Sequence, residues 1–232
     1  MIQKIKDGIK LLQDNQPKGN YHLAFSGGKD SIVILHLAKM AGIRYRAHYQ
    51  QSMEPPDVVQ FIIKEYPEVE RHPPEKTMYQ LIVENGIPPM RNRRYCCRYM
   101  KERGGRGEVC ITGVRWCESR NRKDYEPVSY CDTQDKTFVC PILSWSDKEV
   151  WGFIDAYHLK YPEIYKKGFS RVGCILCPNN RVSEKRLYIQ LYPRVVKAYI
   201  HALDKMIKTW GERGCPRSWK TGQECFDWWI NI

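Results

Sequence analysis

Between residues 3 and 13, Ile5, Ile9, Leu11 and Leu12 recur among charged positions at helical spacing, and the run Asp14-Asn15-Gln16-Pro17-Lys18-Gly19-Asn20 breaks the pattern. An amphipathic helix is therefore predicted ahead of the first strand. Tyr21 to Phe25 is a short apolar run that ends in Ser-Gly-Gly, and the nearly continuous apolar stretch from Ser31 to Met40 follows it. The order is strand, glycine loop, buried helix. Ile43 to Gln50 reads as a second strand, after which Pro55-Pro56-Asp57 opens a helix through Val58, Phe61, Ile62 and Tyr66. Proline suits that first turn because its missing N–H would have no helical partner there. A weak strand at Val69 to His72, a helix from Thr77 to Asn85 and a clear strand at Val109 to Val114 continue the alternation.

Alternating strands and helices predict an α/β fold, Rossmann-like, with a mostly parallel sheet and flanking helices. The pattern does not fix the strand order. From Asp147 onward it turns helical, through Val150, Trp151 and Ile154, then Glu184 to Tyr192, Val195 to Trp210, and Glu224 to Ile230. No repeat, low-complexity tract or long linker interrupts the chain. Residues 1–232 are read as one domain, with an α/β core at about 18–145 and a helical C-terminal part at about 146–232.

A chain of 232 residues with 42% hydrophobic content can bury a sizeable core. No stretch approaches the roughly 20 apolar residues of a membrane span. The start, Met1 to Asp7, lacks the basic-then-apolar layout of a secretory leader. No membrane association and a cytoplasmic location are expected. The formal charge of +12 suits polyanionic partners, nucleotides or nucleic acid, without defining a site. Ten cysteines in such a chain point to chemistry or metal binding rather than a disulfide framework.

Ser26-Gly27-Gly28-Lys29-Asp30-Ser31, between a strand and a helix, has the parts needed to hold phosphate. The glycines permit positive φ and close backbone approach, the helix-start amides point at an anion, and the Ser26 and Ser31 hydroxyls add donors. Lys29 supplies counter-charge, and Asp30 can cap the helix or hold Mg²⁺. The loop is not a Walker A motif, which needs four residues between its first glycine and Gly-Lys and a Ser or Thr after the lysine.

The second constellation is Cys96-Cys97, separated by 76 residues (98–173) from Cys174-Ile175-Leu176-Cys177. Four thiolates suit zinc or an iron-sulfur cluster. An adjacent pair chelates one tetrahedral ion awkwardly, whereas a cubane offers separated iron atoms, so the cluster is favoured. Cys110, Cys117, Cys131, Cys140, Cys215 and Cys225 have no ligand spacing and are expected to be buried as small hydrophobes.

The loop resembles the SGGxDS motif of the PP-loop ATP pyrophosphatases, a superfamily that includes the phosphoadenosine phosphosulfate (PAPS) reductase family. The Cys-Cys and C-x-x-C spacing is similar to that of adenosine phosphosulfate reductases and DNA phosphorothioation ATP pyrophosphatases. Further matches are Pro88-Pro89 before Arg93-Arg94-Tyr95, Thr112-Gly113-Val114-Arg115 with Glu118-Ser119-Arg120-Asn121-Arg122, Pro141 to Ser146, and Arg171-Val172-Gly173. The resemblance implies an adenine nucleotide alpha hydrolase-like fold and an enzyme that binds ATP with Mg²⁺ and a four-iron, four-sulfur cluster. It further implies an acceptor adenylylated with release of pyrophosphate, with nucleic acid as the candidate acceptor. Sulfur-donor or pathway proteins and a homo-oligomeric state are expected with it. Lys29, Asp30 and Arg115 are the expected catalytic residues. Gly113 at its strand end would let the backbone approach the nucleotide, while Arg115, Arg120 and Arg122 would fork onto phosphate or sulfate. The competing reading of Arg120 and Arg122 is a solvated basic loop pairing with Glu118 or Asp124. Trp145 and Trp151 are read as core.

The chain departs from the sulfonucleotide reductases at its end. Those enzymes carry a catalytic cysteine in Glu-Cys-Gly-x-His, whereas Glu224-Cys225 is followed here by Phe226-Asp227-Trp228-Trp229. A true PAPS or adenosine phosphosulfate reductase remains the rival activity, and a zinc-containing nucleic-acid-binding module is a third reading.

Overall fold

The computed structural model describes residues 1–231. In chain order the elements are α1 (Ile2–Asp14), β1 (Tyr21–Ala24), α2 (Lys29–Ala41), β2 (Tyr45–Gln50), α3 (Pro56–Glu65), β3 (Glu70–His72), α4 (Met78–Asn85), α5 (Tyr95–Met100), β4 (Val109–Ile111), β5 (Val128–Cys131), β6 (Lys136–Val139), α6 (Asp147–Ala156), α7 (Val182–Leu191), α8 (Pro193–Glu212) and α9 (Gly222–Ile230). They divide between two compact units, residues 1–51, 56–72 and 102–172 in the first and residues 52–55, 73–101 and 173–231 in the second.

The first unit holds the sheet, in the order β3-β2-β1-β4-β6-β5. Five strands are parallel, and β5 returns antiparallel to β6 as a hairpin. The chain runs from β1 outward to β2 and β3, then crosses to the other side of β1 to begin β4. The β1–β4 gap is thus a topological switch point, where open α/β sheets bind ligands beyond the strand carboxyl ends. Helix α2 is apolar almost all round because it is a core helix, burying Ile32 to Leu35, Leu37 and Ala38. It stops at Gly42, whose φ of 63° is the left-handed conformation favoured after a helix end.

The second unit is helical. Proline occupies the first turn of α8, where it costs no hydrogen bond, and Val196, Tyr199, Ala202, Leu203 and Met206 form its buried stripe. That stripe packs between α4 and α9. Two indoles finish the packing with buried or half-buried hydrogen bonds, Trp229 Nε1 to the Pro89 carbonyl and Trp210 Nε1 to the Val83 carbonyl, each at 2.7 Å.

The α/β class and mostly parallel sheet agree with the sequence reading. The β5–β6 hairpin and α5 were not anticipated, although Asp132-Thr133-Gln134-Asp135 between two short β-prone runs carries the turn signal. The partition also differs from chain order: α6 belongs with the sheet, whereas residues 73–101 belong with the helices. No described helix is long and apolar enough to cross a membrane.

Candidate functional site

The predicted phosphate loop lies at the switch point, between β1 and the first turn of α2. Gly27 has φ 71°, and a Cβ there would stand 2.7 Å from Ile62, so glycine is required for conformation and for space. Gly28 is different. It is the extended N-cap residue, φ −80° and ψ 160°, with only ordinary contacts around the place a Cβ would take. The Ser31 hydroxyl donates to the Gly28 carbonyl at 2.8 Å, and Ser26 Oγ lies 3.3 Å from Ser31 Oγ. The loop after β4 presses directly onto this one, since a Cβ on Gly113 would meet the Asp30 backbone at 3.1 Å. Gly113 therefore serves the approach of one loop to another.

A four-member charge network underlies the loop. Arg115 is 1% exposed. Its Nε lies 2.7 Å from Asp30 Oδ1, an ion contact without hydrogen-bond alignment, and its Nη2 donates to Asp147 Oδ1 at 2.8 Å. Nη1 points at the Trp145 carbonyl and the Cys117 sulfur. Lys29 directs its buried ammonium to Asp30 at 3.3 Å, Asp147 at 3.5 Å and the Ser170 carbonyl at 3.4 Å. Desolvation works to raise the Asp147 pKa, but Arg115 and Lys29 overcome it and hold the carboxyl below its usual range. The structure thus gives Arg115 and Lys29 protein partners. The Arg115 fork meets Asp30, Asp147 and Trp145, and both cations tie the loop to these partners.

Above this network opens a cleft of about 220 Å³ lined by Ser26, Gly28, Asp30, Ser31 and Gly113, with Glu118, Arg122, Tyr165 and Arg171 around them. Helix geometry leaves the first-turn amides of α2 without intrahelical acceptors. The Lys29 amide is taken by the Tyr165 hydroxyl at 2.8 Å. Burial pushes that phenol well above its ordinary range, so it stays protonated. Trp151 braces Tyr165 edge-on at 5.0 Å. Arg122 pairs with Glu118, as the competing sequence reading allowed, yet both line the cleft. Arg120 is exposed and does not line it. Trp145 is core, packed edge-on against Phe153.

In the helical unit the four predicted thiols converge. Cys96 and Cys97 open α5, and Cys174 to Cys177 form a tight turn closed by Cys177 N–H to the Cys174 carbonyl at 3.2 Å, with Leu176 at φ 57°. Asn180 Nδ2 steadies the turn by donating to the Cys174 carbonyl at 3.1 Å. The hydrogen bond that Cys96 donates to Cys97, burial, and the proximity of Cys97, Cys174 and Cys177 drive the Cys96 thiol far above its ordinary pKa. Around them, Ser52 Oγ lies 3.2 Å from Cys174 Sγ, and Lys101 reaches both Cys174 and the Glu54 carboxylate, the latter at 3.0 Å. Desolvation opposes the Lys101 ammonium, but Cys174 and Glu54 hold its pKa well above the usual value. Buried Lys185 is a second cation near Cys177, its pKa lowered by desolvation and by Arg91. Such a set can hold a metal centre.

Cys225 is fully buried in α9 and burial pushes its thiol up to about 12, so no reactive thiol is offered there. Cys110 and Cys140 are also buried as expected, but Cys117 and Cys215 are exposed and Cys131 is only partly covered, a correction to the reading of all six as buried hydrophobes. Cys117 lies in the loop region after β4 and Cys215 in the turn after α8, where no regular apolar face draws a side chain inward.

Residues 20–180 match the phosphoadenosine phosphosulfate reductase domain. The chain belongs to the PAPS reductase family. An uncharacterized protein of Methanocaldococcus jannaschii is 29% identical over 215 residues, covering 85% of this chain and 51% of the relative. A second from that organism is 27% identical over 202 residues, 78% of this chain and 41% of the relative. The chain thus spans about half the length of these curated relatives or less. An adenosine 5'-phosphosulfate reductase of Bacillus cereus is 25% identical over 175 residues, 69% of this chain and 74% of the relative. The solved PAPS reductase of Candida auris, a phosphate complex, aligns with a TM-score of 0.55 and 14% identity over 72% of this chain and 88% of its own, a likeness of fold.

Within this PAPS reductase family chain, sequence reasoning missed Asp147, Tyr165, Arg171 and Glu118 as site residues. Asp147 opens a helix behind a Ser146 capping box, a signal that explains it locally and hides its second role. Arg171 stood inside a matched motif and carried a signal that could have been used.

Proposed function

We propose that this PAPS reductase family member is an ATP pyrophosphatase: an acceptor oxygen attacks the α-phosphate of ATP, the bond to the β-phosphate oxygen breaks, and pyrophosphate leaves in the loop. The observation that carries this reading is the Gly27 loop at the sheet's switch point, opening into a cleft with Arg122 and Arg171 on its walls. First-turn amides of α2 and these guanidiniums would meet the pyrophosphate charge, the largest contribution available in phosphoryl transfer. Asp30 and Glu118, both on the cleft, are the carboxylates that would help a phosphate-bound Mg²⁺. Lys29 and Arg115 keep Asp30 in place.

Cys96, Cys97, Cys174 and Cys177 would hold a four-iron, four-sulfur cluster. Ligands of one tetrahedral zinc at about 2.3 Å from sulfur stand roughly 3.8 Å apart. Among the described residues, the group of three or more ligand atoms all within 4.8 Å of one another is His48, Glu70 and His72, not the thiols. Four crowded sulfurs, with Lys101 reaching Cys174, fit a multi-iron group that brings its own positive charge. When bound, such a cluster supplies redox and sulfide-binding capacity for sulfur transfer. The net charge of +12 favours a nucleic-acid acceptor.

The second reading, sulfonucleotide reduction, is favoured by the adenosine phosphosulfate reductase relatives. A competition titration separates the two. ATP with Mg²⁺, displaced by inorganic pyrophosphate and weakened by Arg122→Ala, supports adenylyl transfer. Binding of adenosine phosphosulfate or PAPS without measurable ATP affinity overturns it.

A further inference from the structure

We propose a second metal site, for a zinc-class divalent ion, formed by His48, Glu70 and His72 at the β2–β3 edge of the sheet and separate from the four cysteines. The parallel register pairs His48 with Glu70 and Gln50 with His72. With the two-residue period of a strand, this puts all three side chains on one face. His48 Nδ1 lies 3.0 Å from His72 Nε2 and 3.5 Å from Glu70 Oε2, and the three ligand atoms all fall within 4.8 Å of one another. Ligands at about 2.0–2.1 Å from a tetrahedral zinc stand roughly 3.3 Å apart, so these two separations bracket the value an ion requires. A proton shared between the imidazoles accounts for one of these contacts. It leaves unexplained why a carboxylate converges on the same nitrogen.

The surroundings support the ligands. His22 stacks flat on His48 with ring centroids 4.1 Å apart, and its Nδ1 is held by Glu108 at 2.8 Å. Arg103 donates to the His72 carbonyl and to Gln50 Oε1, each at 3.3 Å, tying the two strand ends together. Two imidazoles and one carboxylate are a donor set that zinc, cobalt and nickel share. Glu70 is half-exposed, which leaves solvent the fourth coordination position. The ion would clip the three-residue edge strand β3 to β2. Its reach extends to the phosphate loop through backbone, since the His48 carbonyl accepts the Phe25 amide one residue before Ser26.

The test is a Co²⁺ titration of the full chain after chelation, followed by visible absorption, with Cys96→Ser and Cys97→Ser variants beside wild type. Nitrogen and oxygen ligation gives d–d bands without thiolate-to-cobalt charge transfer. The expected result is one equivalent of such cobalt, retained in the cysteine variants and abolished in His72→Ala. Glu70→Ala removes a half-exposed side chain and leaves the fold intact, so it decides the matter where the histidine variant fails to fold. It should weaken Co²⁺ by about ten-fold or more, the scale of losing even an outer-shell partner. Unchanged cobalt affinity in Glu70→Ala, or bound cobalt that always shows thiolate charge transfer, would overturn the proposal.

Discussion

Lys29 and Arg115 are almost fully buried in the sheet-bearing unit, and Asp30 and Asp147 meet both of them. In the helical unit, Cys96, Cys97, Cys174 and Cys177 crowd together with Lys101 and Lys185 as nearby cations, and this crowding raises the Cys96 pKa. The first arrangement closes its own electrostatics when the chain folds. The second gathers four cysteine sulfurs, with Lys101 placed between Cys174 and the Glu54 carboxylate. One unit carries the cleft proposed to take an anion, and the other carries the donor set proposed to take a metal centre.

The largest effect expected from breaking this contrast is at the thiols. Cys174→Ser should cut iron and acid-labile sulfide per chain by about 10–100-fold in anaerobically purified protein, leaving phosphate-cleft ligands bound as before. Arg115→Met strikes the other side. It leaves Asp30 and Asp147 without their shared guanidinium, and should cost about 3 kcal/mol in urea unfolding, the low end for a broken buried pair because Asp147 keeps solvent. A near-neutral result would mean the network is not closed in the sense argued. Gly27→Ala should cost about 1–2 kcal/mol from the left-handed backbone alone, with further loss from the clash with Ile62, and should weaken pyrophosphate binding.

Tyr165→Phe removes the acceptor of the Lys29 amide, an effect of about 1 kcal/mol on stability. Because it frees that amide for an anion, pyrophosphate affinity should rise or hold while stability falls, readable by calorimetry on the same protein. The smallest expected effect is acid-dependent. The Lys4 hydrogen bond, aided by the Ser146 backbone and hydroxyl, lowers the Glu149 pKa from 4.5 to about 2. A carboxyl depressed in the fold contributes stability that is present above about 4.5 and is lost as pH falls toward about 2. Lys4→Met should flatten part of the decline in melting temperature across that window and leave neutral pH nearly unchanged.

Much of the fold was legible because its signals are local. The apolar run at Tyr21 to Phe25, the glycines and the apolar helix after them state strand, loop and helix within twenty residues. Strand order was not legible, since the crossover that places β4 beside β1 depends on packing across the whole sheet. The cysteine pairs were legible from spacing, but Ser52, Glu54 and Lys101 were not, because residues 52–55 join the helical unit from between two strands of the other. Arg115 shows the commonest gap. Residue type and position suggested a phosphate ligand, while only the fold shows the ion pairs with Asp30 and Asp147.

The most direct test of the central claim is turnover of α-labelled ATP by anaerobically purified chain with Mg²⁺ and a nucleic-acid acceptor, wild type beside Gly27→Ala. The expected result is stoichiometric pyrophosphate and label transferred to the acceptor, both lost in the loop variant. Absence of pyrophosphate, with reduction of adenosine phosphosulfate or PAPS to sulfite by the same preparation, would contradict it and make the chain a reductase.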